Sequence, residues 1–421
     1  MGLTWREVNP HPKIPPANEW WTKCENLARQ PNILDRFAEA VGRFVVGEGA
    51  VVRLLFLALV SRFLDRPVSM AVKGPSSCGK SFLVQQVLRF FPPSAHYIVT
   101  STSEKALVYS EESLKHRFLV ILEAAGLQGE WASYFVRTLL SEGRICYDTV
   151  EKTMDGLRPR RIEREGPTGL ITTATAISLH PENETRYFSV EVDDTPEQTR
   201  RVLLATGENI NSDNRSNGEK EIGKFLALQA WLAGANHEVV IPYAKRLVEM
   251  IPPVAVRLRR DITAILHLIM SHAILHQASR KQDDRGRIIA TLEDYRAVRD
   301  IVGPIMSQAL QVTASNTMRQ TVEAVREANK RAPKGGGGAS VTQIAKILKL
   351  DKSATSRRIN ACLERGYLSN LQSKQGSAYK LVVGDPLPGE VEVLPDPESI
   401  EGCCSVAADP GGIGSPPPLL F

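Results

Sequence analysis

Eight residues in the first quarter of the chain limit its fold more than any other segment. Residues 74–81 read Gly-Pro-Ser-Ser-Cys-Gly-Lys-Ser, which matches the G-x-x-x-x-G-K-S pattern of a phosphate-binding P-loop. An apolar run from Val68 to Val72 predicts a buried strand before the loop, and Phe82 to Leu88 predicts a helix after it. Strand, glycine-rich turn and helix in this order bring backbone N–H groups and a helix N-terminus to phosphate oxygens. The segment therefore predicts an α/β fold with a nucleotide triphosphate site.

The P-loop pattern gives two of its residues specific roles. Lys80 is expected to reach the β- and γ-phosphates, and the Ser81 hydroxyl is expected to hold Mg²⁺. The residues expected to line the phosphates are Gly74, Pro75, Ser76, Ser77, Cys78, Gly79, Lys80 and Ser81. A glycine- and serine-rich turn before a helix, with a chance lysine, is the alternative.

A second apolar run, Phe118 to Leu122, predicts another strand that ends in the carboxylate of Glu123. A central strand that delivers an acid beside the nucleotide is the Walker B pattern, in which Glu123 would orient the attacking water or the metal. Leu122 stands where this pattern has an aspartate. Either Glu123 both orients the water and serves the metal, or metal binding is impaired. The further alternative is a buried strand that ends in a glutamate with no role in the site.

A basic segment separates two further predicted strands, Arg144 to Val150 and Gly169 to Thr175. Strand, basic turn, strand predicts a β-hairpin that projects from the nucleotide core. Positive charge on such a hairpin contacts phosphates without reading base sequence. A solvated loop neutralised by Glu163 and Glu165 is the alternative. The predicted DNA contacts in this segment are Arg158, Arg160 and Arg161.

The second half of the chain changes from a long helical region to a small basic unit. From Thr195 to Asn329 the apolar periodicity is almost wholly helical, and a glycine-rich linker follows. Two short helices and a β-hairpin then predict a winged helix-turn-helix. Its predicted DNA contacts are Lys352, Arg357 and Arg358 in the second helix and Lys374 in the wing. A winged unit that contacts protein is the alternative.

Composition sets wider limits. The 421 residues are 43% apolar and 24% charged with a net charge of +5, which suits nucleic acid without requiring it. The six cysteines include no C-x-x-C pair and predict neither disulfides nor a zinc site, so a reducing cytoplasm is expected. The strongest apolar run, Ala50 to Leu64, contains two arginines and is too short to span a bilayer. We expect a buried helix there and no membrane partner.

Taken in order, these segments resemble an AAA+ ATPase of the minichromosome maintenance (MCM) helicase type, and more closely the compact MCM-like helicases encoded on bacterial mobile elements. The segments that carry the resemblance are Val45–Glu48 with its apolar helix, the P-loop, the hairpin segment with the strand Leu170–Thr175, Glu184–Phe188, Arg260–Ala273, Leu292–Tyr295 and the winged unit. The resemblance implies ATP and Mg²⁺ as cofactors and a hexameric ring that moves along DNA.

The resemblance also implies further site residues. Thr175 stands at the sensor position for the γ-phosphate, where that family usually has asparagine. Arg186 stands at the arginine finger, which would act on the ATP of a neighbouring subunit. Arg260 would be the sensor-2 arginine of the lid. With Lys80 and Glu123 these residues complete the expected catalytic set.

The expected domains are an N-terminal arm (1–35), an AAA+ core (36–200), a helical lid (201–330), a glycine-rich linker (331–339), a winged helix (340–385) and a disordered tail (386–421). The expected function is that of a replicative helicase or replication initiator, with primase or other replication proteins as candidate partners. An ATP-dependent transcriptional regulator and a helicase loader remain open, and a small-molecule kinase is a minor alternative.

Overall fold

The computed structural model describes twelve parts of the chain: residues 17–99, 112–122, 138, 144–153, 156–175, 187–210, 215–253, 258–313, 316–331, 338–372, 379–387 and 393–401. The strands in these parts are β1 (Met70–Lys73), β2 (His96–Val99), β3 (Arg117–Ile121), β4 (Arg144–Thr153), β5 (Gly156–Glu165), β6 (Thr168–Ala174), β7 (Phe188–Glu191), β8 (Val239–Val240), β9 (Ile288–Ile289), β10 (Leu368–Asn370) and β11 (Leu381–Val383). The helices are α1 (Ala17–Ala28), α2 (Ile33–Val41), α3 (Gly49–Val60), α4 (Lys80–Leu88), α5 (Pro196–Ile210), α6 (Arg215–Ala233), α7 (Ala244–Met250), α8 (Leu258–Leu275), α9 (Leu292–Thr313), α10 (Asn316–Arg331), α11 (Val341–Leu348), α12 (Lys352–Glu364) and α13 (Pro397–Glu401).

A parallel five-stranded sheet in the order β2-β3-β6-β1-β7 positions the P-loop. The residues of β1 and β6 are all buried, and strands that are buried along their whole length suit a parallel sheet covered on both faces. In the register, Val72 lies between Thr173 on β6 and Val190 on β7. The carboxyl ends of β6 and β7 therefore flank the start of the P-loop, at the sheet edge where α/β folds bind ligands.

The predicted buried helix is confirmed as α3, whose residues from Val51 to Val60 are buried except for Arg53. It packs against α2 and α4 beside the sheet and against α8 and α9 of the helical region. One hydrophobic core consequently runs from α1 through the sheet to α9. Among the described residues, no helix has the length and apolar content that a membrane span requires.

Strands β4 and β5 form a long antiparallel ribbon, which we call the hairpin, and they pair from Arg144↔Glu165 to Thr153↔Gly156. The expected hairpin, with the basic segment as its turn and Gly169–Thr175 as its second strand, is wrong. The basic segment is strand β5 itself, and Gly169 to Ala174 lie in β6 of the central sheet. Among the described side chains of β5 only Ile162 is buried, so no apolar alternation marked this segment as a strand.

Helix α10 belongs to a smaller C-terminal unit instead of the predicted lid at 201–330. Its buried Val322 and Val325 share a core with Ile344 of α11 and Ile359 of α12, together with Leu381 of β11. At the end of the expected linker, Ala339 exchanges backbone hydrogen bonds with Leu381 at 2.8 and 2.9 Å. The boundary at 330 was misplaced because helical periodicity continues across α9 and α10 and gives no break.

Residues 393–401, which we call the strap, are ordered, so the expectation of disorder over 386–421 is wrong for this part. The buried side chains of Val393, Leu394 and Ile400 join the main core. On α9, Tyr295 donates from its hydroxyl to the Pro395 carbonyl at 2.6 Å, and Arg299 Nη2 donates to Asp396 Oδ1 at 2.6 Å. Prolines and acids surround these three apolar residues in the sequence, and their burial depends on a partner helix a hundred residues away.

Candidate nucleotide site

The segment between β1 and α4 has the backbone of a phosphate-binding loop, as the sequence predicts. Gly74, Ser77 and Gly79 have φ angles of +154°, +67° and +85°. A Cβ atom on Gly74 would lie 2.8 Å from Cys78 Sγ, so only glycine fits the start of the loop. Left-handed residues interspersed in a turn make the concave backbone that binds anions, and α4 adds its N-terminal partial charge. The loop can therefore accept an anion such as phosphate.

Lys80 holds its ammonium group across the loop. Its Nζ donates to the Gly74 carbonyl at 3.0 Å and to the Pro75 carbonyl at 2.5 Å, and lies 3.6 Å from Cys78 Sγ. Residues 75–77 and 79 are exposed, while Lys80 is half-buried. A phosphate entering the loop therefore meets a fixed positive charge together with the amide groups of the helix N-terminus.

Ser81, in the first turn of α4, lies beside strand β6. Its Oγ is 3.3 Å from Thr173 Oγ1, and Thr173 is 1% exposed. The Gly74 amide donates to the Ala174 carbonyl at 3.3 Å, which fixes the end of β6 against the loop. Thr175, the expected sensor, is the next residue and is exposed. The structure thus brings Lys80, Ser81 and Thr175 to one edge of the sheet.

The acid and the arginines of the expected site are less completely described. Glu123 and Arg186 lie outside the described residues. Leu122 is buried in the main core, next to the end of β3. Arg260 is exposed in the first turn of α8.

A turn at Val46–Glu48 lies on the other flank of the loop, and the sequence did not identify its contacts. Glu48 Oε1 accepts from the amide of Asp193, just past β7, at 2.8 Å, and burial raises the pKa of this carboxyl. Gln198 Nε2 donates to the Val46 carbonyl at 2.6 Å. Gly47 has a φ of +74°, and a Cβ there would lie 2.7 Å from the Gln198 carboxamide. The sequence marked Val45–Glu48 only through the family resemblance, which gave no indication of these contacts.

The hairpin separates its basic residues onto two faces. Arg158 and Arg160 are exposed on one face of β5, opposite the positions of Glu151 and Thr149. Arg161 points to the other face, where its Nε lies 3.2 Å from Glu163 and 3.9 Å from Asp148. The local neutralisation considered from the sequence therefore applies to Arg161.

The basic residues of α12 are also separated. Asp351 caps this helix by accepting from the Ala354 amide at 2.8 Å, and Lys352 and Arg357 are exposed. Arg358 is half-buried, and its Nη1 lies 3.4 Å from Gln320 Oε1 on α10. Helix α12 thus exposes two of the three predicted cations. Lys374, in the predicted wing, lies outside the described residues.

Comparison with known proteins gives no independent assignment, because no family model and no curated protein matches this chain.

Proposed function

We propose that this chain is a Mg²⁺-dependent ATPase that moves along DNA as a ring, acting as a helicase or replication initiator of the MCM-like AAA+ type. The observation that carries the proposal is the P-loop between β1 and α4, with Lys80 across it and Ser81 beside β6. Loops of this shape bind nucleotide triphosphates by their backbone, and their lysine and serine serve the phosphates and the metal.

The assigned roles follow the geometry where it is described. Lys80 neutralises the β- and γ-phosphates, Ser81 holds Mg²⁺, and Thr175 senses the γ-phosphate. Glu123, as the acid that orients water, and Arg186, as the finger supplied by a neighbouring subunit, complete the proposal from the family resemblance. Arg260 is proposed as the sensor-2 arginine. A finger supplied in trans requires an oligomer, and a hexameric ring is the form we propose.

Two basic surfaces support DNA as the partner. Arg158 and Arg160 lie together on one face of a hairpin, and Lys352 and Arg357 are both exposed on α12. Cations at such positions bind phosphates and make affinity fall with salt. We propose that the C-terminal unit acts as a winged helix on duplex DNA and that the hairpin contacts the translocated strand.

Strand displacement on a forked duplex with ATP tests the proposal. Wild-type protein is expected to unwind the fork and to hydrolyse ATP faster with DNA, while Lys80→Ala and Arg186→Ala are expected to do neither. Lys224→Ala, which removes an exposed cation paired with Glu221 on α6, is the matched control. Mixing the Lys80 and Arg186 variants should partly restore hydrolysis if one site draws on two subunits.

The same assay separates the alternatives. A sequence-specific footprint without unwinding would favour a transcriptional regulator. Hydrolysis that DNA does not stimulate would favour a helicase loader. Wild-type protein that neither unwinds DNA nor shows DNA-stimulated hydrolysis would contradict the helicase proposal.

A further inference from the structure

The hydroxyl groups of Ser81 and Thr173 face each other from different elements. Ser81 lies in the first turn of α4 and Thr173 on β6, and their oxygens are 3.3 Å apart. Thr173 is 1% exposed, so strand β6 holds its hydroxyl in a fixed place under the loop. The pair joins the loop helix to strand β6, which ends one residue before Thr175.

The proposed role of Ser81 creates a need for a hydrogen-bond acceptor. A serine oxygen that coordinates a cation turns its lone pairs toward the metal, and its O–H group is then available as a donor. Groups behind a metal ligand orient it and tune its affinity. The acceptor must therefore lie within hydrogen-bond distance of Ser81 Oγ, on the side that faces away from the metal.

The residue at the expected aspartate position does not provide that acceptor. Leu122 is apolar and buried in the main core. The pairing Ile121↔Thr172 brings Leu122 abreast of Thr173, with β6 lying between β3 and the P-loop strand. A hydroxyl on β6 is thus one strand nearer to Ser81 than a side chain at 122.

We propose that Thr173 is a positioning residue for the metal site, which accepts a hydrogen bond from the Ser81 hydroxyl and so directs the serine oxygen to Mg²⁺. This inference rests on the proposed function, since it assumes that Ser81 binds the metal of a Mg-nucleotide. It assigns to a threonine on β6 the supporting role that the Walker B pattern gives to an aspartate on β3.

The test measures the Mg²⁺ dependence of nucleotide binding with a fluorescent ATP analogue, in EDTA and across a magnesium titration. Thr173→Val keeps the side-chain shape and removes the hydroxyl. We expect it to raise the half-saturating Mg²⁺ concentration by about tenfold, the scale seen when a group behind a metal ligand is removed. Affinity for the metal-free nucleotide should stay unchanged, and Thr173→Ser should restore the wild-type magnesium dependence.

Thr172→Val is the matched control. Thr172 lies on the same strand, is 0% exposed, and donates to the Ile121 carbonyl at 3.1 Å. Loss of that hydroxyl should leave the magnesium dependence unchanged. If Thr173→Val lowers stability, a second comparison replaces it: the effect of Thr173→Ala on the half-saturating Mg²⁺ concentration is measured in the wild-type protein and in Ser81→Ala. A residue that acts through Ser81 adds no further magnesium effect once Ser81 is gone.

Three results would overturn the inference. An unchanged magnesium dependence in Thr173→Val, or equal effects of Thr173→Ala in both backgrounds, would overturn it and leave the proposed function standing. Wild-type protein that binds no nucleotide with or without Mg²⁺ would overturn both.

Discussion

His272 Nδ1 lies 2.7 Å from Asp294 Oδ1, and both side chains are buried between α8 and α9. Arg280 donates to the same carboxylate from Nη2 at 2.5 Å and from Nε at 3.0 Å. The amide of Thr291 adds a fourth bond at 2.7 Å. Burial disfavours the charged form, but hydrogen bonds from His272 and Arg280 outweigh it and hold the pKa of Asp294 below its ordinary value.

Replacing this carboxylate should destabilise the helical region strongly. Asp294→Asn leaves the guanidinium of Arg280 without its counter-ion, and breaking a buried pair in this way costs about 3–5 kcal/mol. Asp300→Asn, at an exposed position of the same helix, should change the free energy of unfolding by less than about 0.5 kcal/mol. Urea unfolding of both variants measures the difference. Equal stabilities would show that the network contributes little.

Stability should fall with acid because His276 is buried in its neutral form. Burial, with the neighbouring His272 and Arg280, lowers the pKa of His276 to about 3. The unfolded chain, with a histidine pKa of about 6.5, binds the proton first, so this contribution is complete above about pH 6.5 and is lost as pH falls toward 3. The depressed pKa of Asp294 adds a loss below about pH 4.

Measuring unfolding free energy against pH for wild type and His276→Gln checks this expectation. In the variant, the slope of unfolding free energy against pH between pH 6 and 4 should be smaller by the equivalent of about one proton, because the imidazole that binds this proton on unfolding has been removed. Parallel curves for the two proteins would contradict the assignment to His276.

A side chain at the first glycine of the P-loop should abolish nucleotide binding. Gly74→Ala would place Cβ 2.8 Å from Cys78 Sγ at a φ of +154°. Gly223→Ala on α6 is the control, since nothing lies within 4 Å of its added Cβ. The control should keep wild-type affinity and gain up to about 1 kcal/mol of stability. Calorimetric titration with Mg-ATP distinguishes the two variants. Wild-type affinity in Gly74→Ala would contradict the proposal that this loop binds the phosphates.

The two faces of the hairpin should differ in their effect on DNA. Arg158→Ala and Arg160→Ala should each weaken single-strand binding at all sequences and reduce the slope of log affinity against log salt by about 0.7. Arg161→Ala should change the slope less, because Arg161 points to the opposite face of the hairpin, toward Glu163 and Asp148. Fluorescence anisotropy across a salt series measures this. A larger effect from Arg161 would assign DNA to the opposite face.

The strap should stabilise the helical region through its apolar residues more than through its charges. Ile400 is fully buried, and Ile400→Ala should cost about 2–5 kcal/mol. Glu398 pairs with Arg296 at 2.9 Å in an exposed position where water screens the charges, so Glu398→Gln should cost less than Ile400→Ala. Thermal unfolding of both variants compares the two losses of stability. A larger loss in Glu398→Gln would contradict the prediction that apolar burial holds the strap.

Local patterns in the sequence predicted the local structures, and long-range partners were missed. The P-loop was identified because residues 74–81 carry their own turn and helix signals. The burial of α3 followed from an apolar run that needs no particular neighbour. The pairing of β5 with β4 was not visible, since an exposed ribbon carries no apolar alternation. The Ser81–Thr173 contact joins residues 92 positions apart, and no local pattern in the sequence indicates it.

The strap changes how the small C-terminal unit is attached. The chain leaves the main core after α9 and returns to it at Val393, so α10 to β11 lie between two anchors on the same body. A unit held by one linker can swivel in every direction, whereas a unit held at two points keeps mainly rotation about the line that joins them. Any force that the proposed DNA partner exerts on α12 would then reach the main core at two places, at the end of α9 and at the strap.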